Sequence, residues 1–366
     1  MKKIFLISGE ESGDIHAANM IRQLKKLTDF SLYGTGGSRL KELGQIQFFD
    51  INQMTIIGIN EVIQKLPFIL KMFRTLKERL LEIKPDLVVL VDYPGFNLKF
   101  ADFAKRNGFR VVYYIAPQVW AWHYSRVYKM RSTIDHLYCI LPFEEDLFRK
   151  EGINATYVGN PIIDNIRFNF IDSVQFFNNY GLDLNKKTIG LLPGSRKKEV
   201  ENILPVFLEA LNLLNKSYNF ILAQADSITS ELLHGIPDYV RVIKGDTYDV
   251  MRYSDVLWCC SGTATLESAF VGTPPIILYK VPYFTEFIGR YILKLKRIGL
   301  PNIVLGKDIF PELINKELNS QNILKWTKFT LSNKEYFEEY LRYIYQLLAN
   351  KNPSLNTAEH IFNNFL

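Results

Sequence analysis

Cysteine is scarce. Only Cys139, Cys259 and Cys260 occur. They lie in the apolar runs HLYCIL and VLWCC, without metal-ligand spacing, which excludes a disulfide or zinc scaffold and leaves small core residues in a reducing compartment. No uninterrupted run of about 18 apolar residues exists, so no segment is expected to span a membrane. The opening MKKIFLI stops at Ile7 and runs into acidic residues, which reads as a first strand and not an export signal, in a cytoplasmic protein. An excess of one charge is also missing: 44 Lys and Arg face 38 Asp and Glu, giving +6, too small and too dispersed for a nucleic-acid surface. What is abundant is apolar and aromatic material. The 48% hydrophobic and 22% charged shares are those of an ordinary globular chain, and 366 residues suit two domains. Aromatics reach 14%, with 26 Phe and 20 Tyr against 4 Trp.

Short β-branched and aromatic runs alternate with amphipathic stretches along the chain, the pattern of parallel sheets covered by helices. The spacing predicts strands at 4–7, 31–34, 86–91, 110–115, 136–141 and 155–159. LVVLV is apolar without alternation, as in a strand buried on both faces. After GNPIID the polar, Asn-rich stretch 168–187 reads as an interdomain connection. The alternation then resumes through TIGLLPG, a helix through Pro205 to Asn215, NFILAQ, VRVIKG, DVLWCC, a helix from Thr263, and PPIILYK. The expectation is an α/β chain of two doubly wound, Rossmann-like domains facing a central cleft. They cover residues 1–165 and 166–345, and a helical tail, 346–366, packs back on the first domain or on a partner subunit.

In open α/β sheets ligands bind beyond the carboxyl ends of strands, so the strand-to-helix loops carry the chemistry. SGEESGD (8–14) is not a dinucleotide fingerprint, because Glu10 and Glu11 would repel a pyrophosphate. Ser12 and Asp14 are potential helix caps, and His16 follows one turn into the helix. GTGGSR (34–39) is a glycine-rich turn. Asp92 in VDYPGFN ends an apolar strand, where a carboxylate can act as general base, and Asn97 is a potential cap. In the second half, LLPGSRKKEV places Gly194, Ser195 and Arg196 between strand and helix, with free N–H groups beside a guanidinium. SGTATLE repeats the device at Ser261, Gly262 and Thr263, and Glu267 can accept from a ribose diol. Together they favour a nucleotide diphosphate. A carboxylate-lined first domain and a nucleotide-binding second one suit a nucleotide-sugar glycosyltransferase. Helix dipoles and an Arg can stabilise its leaving group without a metal, and there is no DxD motif, cofactor or metal site.

GEESGD followed by His16, MTIIGINEV (54–62), VDYPGFN, APQVWAWH (116–123), LPFE (141–144), VGNPIID, LLPGSRKKEV, SGTATLE and LPN (300–302) occur in order over nearly the whole chain. In these the sequence resembles the lipid-A-disaccharide synthases of Gram-negative bacteria. The resemblance implies a GT-B fold and an inverting transfer of 2,3-diacylglucosamine from its UDP donor to the 6-hydroxyl of 2,3-diacylglucosamine 1-phosphate (lipid X). It implies UDP contacts at Arg196, Ser261, Gly262, Thr263, Glu267 and Asn302, and first-domain contacts at Glu10, Ser12, Asp14, Asn97, Gln118 and Trp120. Some members carry PDFN, whose Asp is a favoured base; this chain has Gly95 there, so Asp92, Glu10 and His16 are the candidates.

Acylated substrates call for apolar surface. Residues 56–77 carry Val62, Ile63, Leu66, Ile69, Leu70 and Phe73 among Lys65, Lys71, Arg74 and Lys77. Residues 284–297 carry Phe284, Phe287, Ile288, Tyr291, Ile292 and Leu295 beside Arg290, Lys294 and Arg297. Such stripes face a core or an anionic membrane surface, here the inner leaflet. Two other readings fit the same residues: a GT-B enzyme acting on another lipid-linked sugar, and a non-enzymatic nucleotide-sugar sensor. The first should carry GGxGGH-type loops, which SGEESGD is not; the second would not need the carboxylates.

Overall fold

The computed structural model describes residues 1–51, 59–120, 124–214, 217–280, 297–349 and 351–366, without the side chains of 59–66. The chain divides into two compact units, Met1–Asp164 with Asn350–Leu366, and Asn165–Ala349.

The first unit alternates β1 (Lys2–Ser8), α1 (Glu11–Leu27), β2 (Phe30–Gly36), α2 (Ser38–Glu42), β3 (Ile46–Asp50), α3 (Ile59–Ile83), β4 (Leu87–Val91), α4 (Pro94–Arg106), β5 (Val111–Tyr114), α5 (Arg126–Thr133), β6 (His136–Cys139), α6 (Glu144–Lys150) and β7 (Ala155–Tyr157). Its seven strands are parallel in the order β3-β2-β1-β4-β5-β6-β7. The direction of winding therefore reverses between β1 and β4, and their carboxyl ends frame the crevice where such sheets bind ligands. Every residue of β4 is buried, which is why its sequence shows no alternation.

The second unit holds α7 (Ser173–Tyr180), β8 (Thr188–Leu192), α8 (Lys197–Leu213), β9 (Asn219–Gln224), β10 (Val240–Lys244), α9 (Thr247–Arg252), β11 (Val256–Cys260), α10 (Thr263–Val271), β12 (Pro275–Tyr279), α11 (Leu300–Leu305), β13 (Glu312–Ile314), α12 (Ser320–Ser332) and α13 (Lys334–Ala349). Six parallel strands run β10-β9-β8-β11-β12-β13, so the switch point lies between β8 and β11. The polar stretch read as a connection contains α7, whose Phe176 and Phe177 are buried against Ile221, Val250 and Leu257. Two adjacent buried aromatic side chains outweigh the Asn-rich remainder. α8 begins at Lys197 and runs through Pro205 to Leu213.

Two strands, β3 and β13, have no counterpart in the sequence reading. Both are outermost in their sheets, so neither needs a continuous apolar run. The final helix, α14 (Pro353–Phe365), starts with Asn352 accepting from the Leu355 N–H at 3.1 Å. It belongs to the first unit, where its Ala358 and Ile361 join Ala17, Ala18 and Ile21 of α1 in the core.

Among the described residues, part of the aromatic surplus is core. In the first unit Phe5, Phe96 and Phe100 stack at 6.0 and 6.2 Å, and Phe73 of α3 meets Phe96 and Phe100 edge-on at 5.2 and 6.0 Å. In the second, Trp258 lies against Phe207 at 5.5 Å and donates to Thr327 Oγ1 at 2.8 Å. The described part of the 56–77 stripe thus faces inward at Ile69 and Phe73 and outward at Leu70, which is 61% exposed. Val62, Ile63, Leu66 and Lys65 lie outside the described side chains. So do Phe284, Phe287, Ile288, Arg290, Tyr291, Ile292, Lys294 and Leu295, and Arg297 is ion-paired with Asp308 at 2.7 Å. Among the described residues no helix is long and apolar enough to cross a membrane. All three cysteines are buried and unpaired.

Candidate functional site

The crevice of the first unit is built by the loops after β1 and β4. Glu10 is the N-cap of α1 in extended conformation, exposed, as are Glu11 and Ser12. Asp92 and Tyr93 follow β4 with φ of 47° and 50°. Two consecutive non-glycine residues in the left-handed region hold about 1–3 kcal/mol of strain each, which surrounding contacts must offset. Those contacts converge on one atom: the Asp92 carbonyl accepts from Tyr113 Oη at 2.5 Å and from Asn97 Nδ2 at 2.7 Å. Asn97 Nδ2 also reaches the Val91 carbonyl at 3.2 Å. Asn97 therefore ties the turn backwards to the strand, and the helix N-cap is Tyr93. The Tyr93 ring in turn covers Gly9, where a Cβ would stand 2.4 Å from Cδ1. Only glycine lets the two loops close.

Burial first, and the Glu10 charge second, push the Asp92 carboxyl up to about 6, against a hydrogen bond from the Tyr93 backbone that lowers it. A carboxylate in that range is a stronger base than an ordinary one and is still ionised at neutral pH. His16 is brought down to about 4 by burial, and its Nδ1 is buried without a hydrogen-bond partner, so it is a neutral imidazole.

Asp14 has a different occupation. Its Oδ1 accepts from the Gly37 N–H at 2.7 Å and its Oδ2 from the Arg39 N–H at 3.2 Å, so it fastens the GTGGSR turn at the start of α2. Gln118 is exposed. The half-buried Trp120 donates from Nε1 to Glu144 Oε1 at 3.0 Å and packs edge-on against Phe143 at 5.1 Å. Glu144 is fully buried, its Oε2 accepts the Ile140 and Leu141 N–H groups at 3.1 and 3.0 Å, and burial raises its carboxyl to about 7. Residues 121–123 of APQVWAWH lie outside the described residues.

In the second unit the loops after β8 and β11 flank the switch point. Gly194 has φ +126°, and a Cβ there would stand 2.5 Å from that of Glu199, so both backbone and packing demand glycine. Glu199 folds back over the loop: Oε2 accepts the Ser195 and Arg196 N–H groups at 3.0 and 3.2 Å, and Oε1 pairs with Arg196 Nη1 at 3.0 Å. The three donors thus already hold an anionic oxygen pair, the chemistry a phosphate would need. Gly262 is the N-cap of α10 and is exposed with Thr263; Ser261 is half-buried. Glu267 is raised by burial and held down by a hydrogen bond from Thr263. Asn302 is buried, and its amide is engaged throughout. Nδ2 donates to the Phe310 carbonyl at 2.8 Å and to Glu312 Oε1 at 2.9 Å, while Oδ1 accepts from Ile309 and Phe310. Its side chain braces the loop before β13.

The sequence reading brings Glu10 and Asp92 to one edge and Arg196, Thr263 and Glu267 to the other, and it misses the residues that fix them. Glu199 was visible as the third helical residue after an N-cap. Glu144 lies in a quoted motif without a role. Tyr113 and Glu312 gave no signal, because nothing in VVYY or PELI distinguishes a hydrogen-bonding side chain from a packed one. Among the described residues no group of three or more His, Cys, Asp or Glu is arranged to hold a metal ion.

Comparison with known proteins bears on both units. The family model described as lipid-A-disaccharide synthetase matches residues 4–363. A lipid-A-disaccharide synthase of Syntrophus aciditrophicus is 40% identical over 88% of this chain and 86% of its own. Those of Trichlorobacter lovleyi and Coxiella burnetii are 37% and 32% identical, covering 95% and 99% of this chain and 94% and 98% of theirs. Among solved structures, the glycosyltransferase of kitacinnamycin superposes with a TM-score of 0.65 at 12% identity, over 100% of this chain and 99% of that one. S. aureus MnaA, solved with UDP, gives 0.65 at 16% over 100% and 98%. The structural likeness carries the GT-B fold, and the sequence match carries the rest: this chain belongs to the lipid-A-disaccharide synthase family, UDP-sugar glycosyltransferases built on that fold.

Proposed function

We propose that the chain passes 2,3-diacylglucosamine from UDP-2,3-diacylglucosamine to the 6-hydroxyl of lipid X, forming the β-1,6 disaccharide 1-phosphate and UDP, with Asp92 as the base. The acceptor oxygen attacks the anomeric carbon from the face opposite the diphosphate, its proton passes to the Asp92 carboxylate, and the bond to UDP breaks with inversion. The observation that carries the assignment is a half-buried carboxylate at the carboxyl end of β4, raised to about 6 by desolvation and the Glu10 charge and so matched to accepting a hydroxyl proton near neutrality. Glu10 acts electrostatically by raising Asp92, and His16 stays neutral. Ser12, Gln118 and Trp120 contact the acceptor.

The second unit takes the nucleotide. The diphosphate replaces the Glu199 carboxylate on the Ser195 and Arg196 donors, the α10 N-terminus with Ser261, Gly262 and Thr263 takes the remaining phosphate oxygens, and Glu267 receives the ribose diol. Charge developing on the leaving group is met by Arg196 and two helix N-termini, so no metal is needed. A nucleotide-sugar sensor has no use for a raised base, and the relatives give no support to another lipid-linked acceptor.

Acylated substrates place the enzyme on the inner face of the inner membrane as a peripheral protein. Supporting this, Leu70 is exposed beside Lys71 and Arg74 on α3. Pelleting with anionic but not neutral vesicles at low salt is the expected result, and no binding to either removes that part. The transfer itself is tested by mixing the purified protein with the diacylated UDP donor. UDP should appear only when lipid X is present, together with a disaccharide 1-phosphate. Release of UDP without acceptor dependence overturns the assignment.

A further inference from the structure

The turn that presents Asp92 is strained twice over, and the groups opposing the strain lie on two different elements. Asp92 and Tyr93 are both left-handed, a state that neither Asp nor Tyr adopts without support. From α4, Asn97 donates to the carbonyls of Val91 and Asp92; from β5, the fully buried Tyr113 donates its hydroxyl to the same Asp92 carbonyl. The Asp92 N–H meanwhile donates to Tyr114 at 3.1 Å. The backbone of this one residue is therefore fixed on both sides by β5. The Tyr113 hydroxyl is surrounded by the Asp92 charge and the Asn97 amide, and burial keeps it protonated at any working pH, so it is a permanent donor.

We propose that Tyr113 is a positioning residue for the transfer, holding the Asp92 backbone in the left-handed turn that keeps its carboxylate half-buried beside Glu10, with Asn97 as the second arm of the clamp. The proposal rests on the reading of Asp92 as base. Without the hydroxyl, the turn relaxes toward an ordinary conformation, the carboxylate moves toward water, and it loses both its aim and the desolvation that makes it basic. The ring itself only fills the core between β5 and its neighbours, so Tyr113→Phe isolates the hydroxyl.

The test is the full-length enzyme assayed with the diacylated UDP donor and lipid X across pH 4.5–9. For Tyr113→Phe the expected outcome is a kcat about tenfold lower with both KM values within about twofold, since misaiming a reacting group affects the chemical step before binding. The acid limb of kcat should move from near 6 toward the ordinary carboxylate range of about 4. A residue that merely supports the fold would change stability and leave the limb where it was. An unmoved acid limb, or an unchanged kcat, overturns the proposal. Should Tyr113→Phe fail to fold, Asn97→Ser removes the other arm and must give the same downward shift, or the clamp is rejected. Asp92→Asn is assayed in parallel: if it retains near-normal turnover, the base assignment fails on its own account, whatever the Tyr113 variant does.

Discussion

The two sheets share a winding order and place their sites at equivalent switch points, yet the two edges are chemically opposite. The edge after β1 and β4 carries Glu10 and a half-buried, strained Asp92, and repels anions. The edge after β8 and β11 carries Gly194, Gly262, two helix N-termini and Arg196, and attracts them. In the proposed transfer, one fold serves proton abstraction and diphosphate binding by changing a handful of loop residues. The scaffold decides where a site lies, and the loop chemistry decides what it does.

The largest effect should come from removing the proposed base at the acidic edge. Asp92→Asn is expected to lower turnover by about a thousandfold, within the range general-base catalysis contributes, with UDP binding to the other unit unchanged by calorimetry. The same variant has a second signature. Because folding raises the Asp92 carboxyl to about 6, its favourable contribution to stability is complete below pH about 4 and is lost as pH climbs through 6. Asp92→Asn should therefore be the more stable protein above pH 7, by at most about 3 kcal/mol, and the advantage should vanish near pH 4 in denaturant titrations. A turnover loss accompanied by instability at neutral pH would contradict this account.

At the basic edge, Arg196→Ala removes a charge-assisted donor worth about 1.5–3 kcal/mol. UDP affinity should fall about 30-fold while the acid limb of kcat stays in place. If both change together, the two edges do not have separate duties. Gly262→Ala gives a finer test. Gly262 has φ 164°, extended backbone open to any residue, and a Cβ there meets nothing within 4 Å. Stability should stay within about 0.5 kcal/mol, and any loss of UDP affinity, expected to be about tenfold, reports a phosphate in contact with that Cα.

The smallest expected effect concerns Gly95, the position where the sequence resemblance implies an aspartate in some family members. Gly95 lies in the first turn of α4, and a Cβ there also meets nothing within 4 Å. Gly95→Asp should raise stability by about 1 kcal/mol, from helix propensity and a carboxylate at the positive end of the helix. Its influence on kcat would show whether a second carboxylate sharpens or blurs the role of Asp92.

Much of this was legible in the residues. LVVLV, VLWCC and TIGLL mark strands buried on both faces, and GEESGD, PGSR and SGTATLE mark the loops beyond them, because glycine, acid and arginine in those places have few other uses. Two of the four outermost strands, β3 and β13, were not legible: IQFFD and ELI are buried on too few sides to need an apolar run. Nor was α7, whose buried Phe176 and Phe177 sit in a polar, Asn-rich sequence.

The alternation of apolar strands and amphipathic helices, a local property, determined the α/β class and the places where ligands could bind. Which carboxylate is raised into the range of a base was decided by tertiary structure. A pKa depends on burial and neighbouring charge, and Asp92 acquires both only when β1 and β4 lie side by side and Tyr113 and Asn97 close on its carbonyl. The same holds for Asp14 and Asn302, whose sequence contexts suggest ligand contacts and whose side chains are committed, for Asp14, to the backbone N–H groups of a distant loop and, for Asn302, to the segment leading into β13. Contacts between residues far apart in the chain leave no periodicity to read.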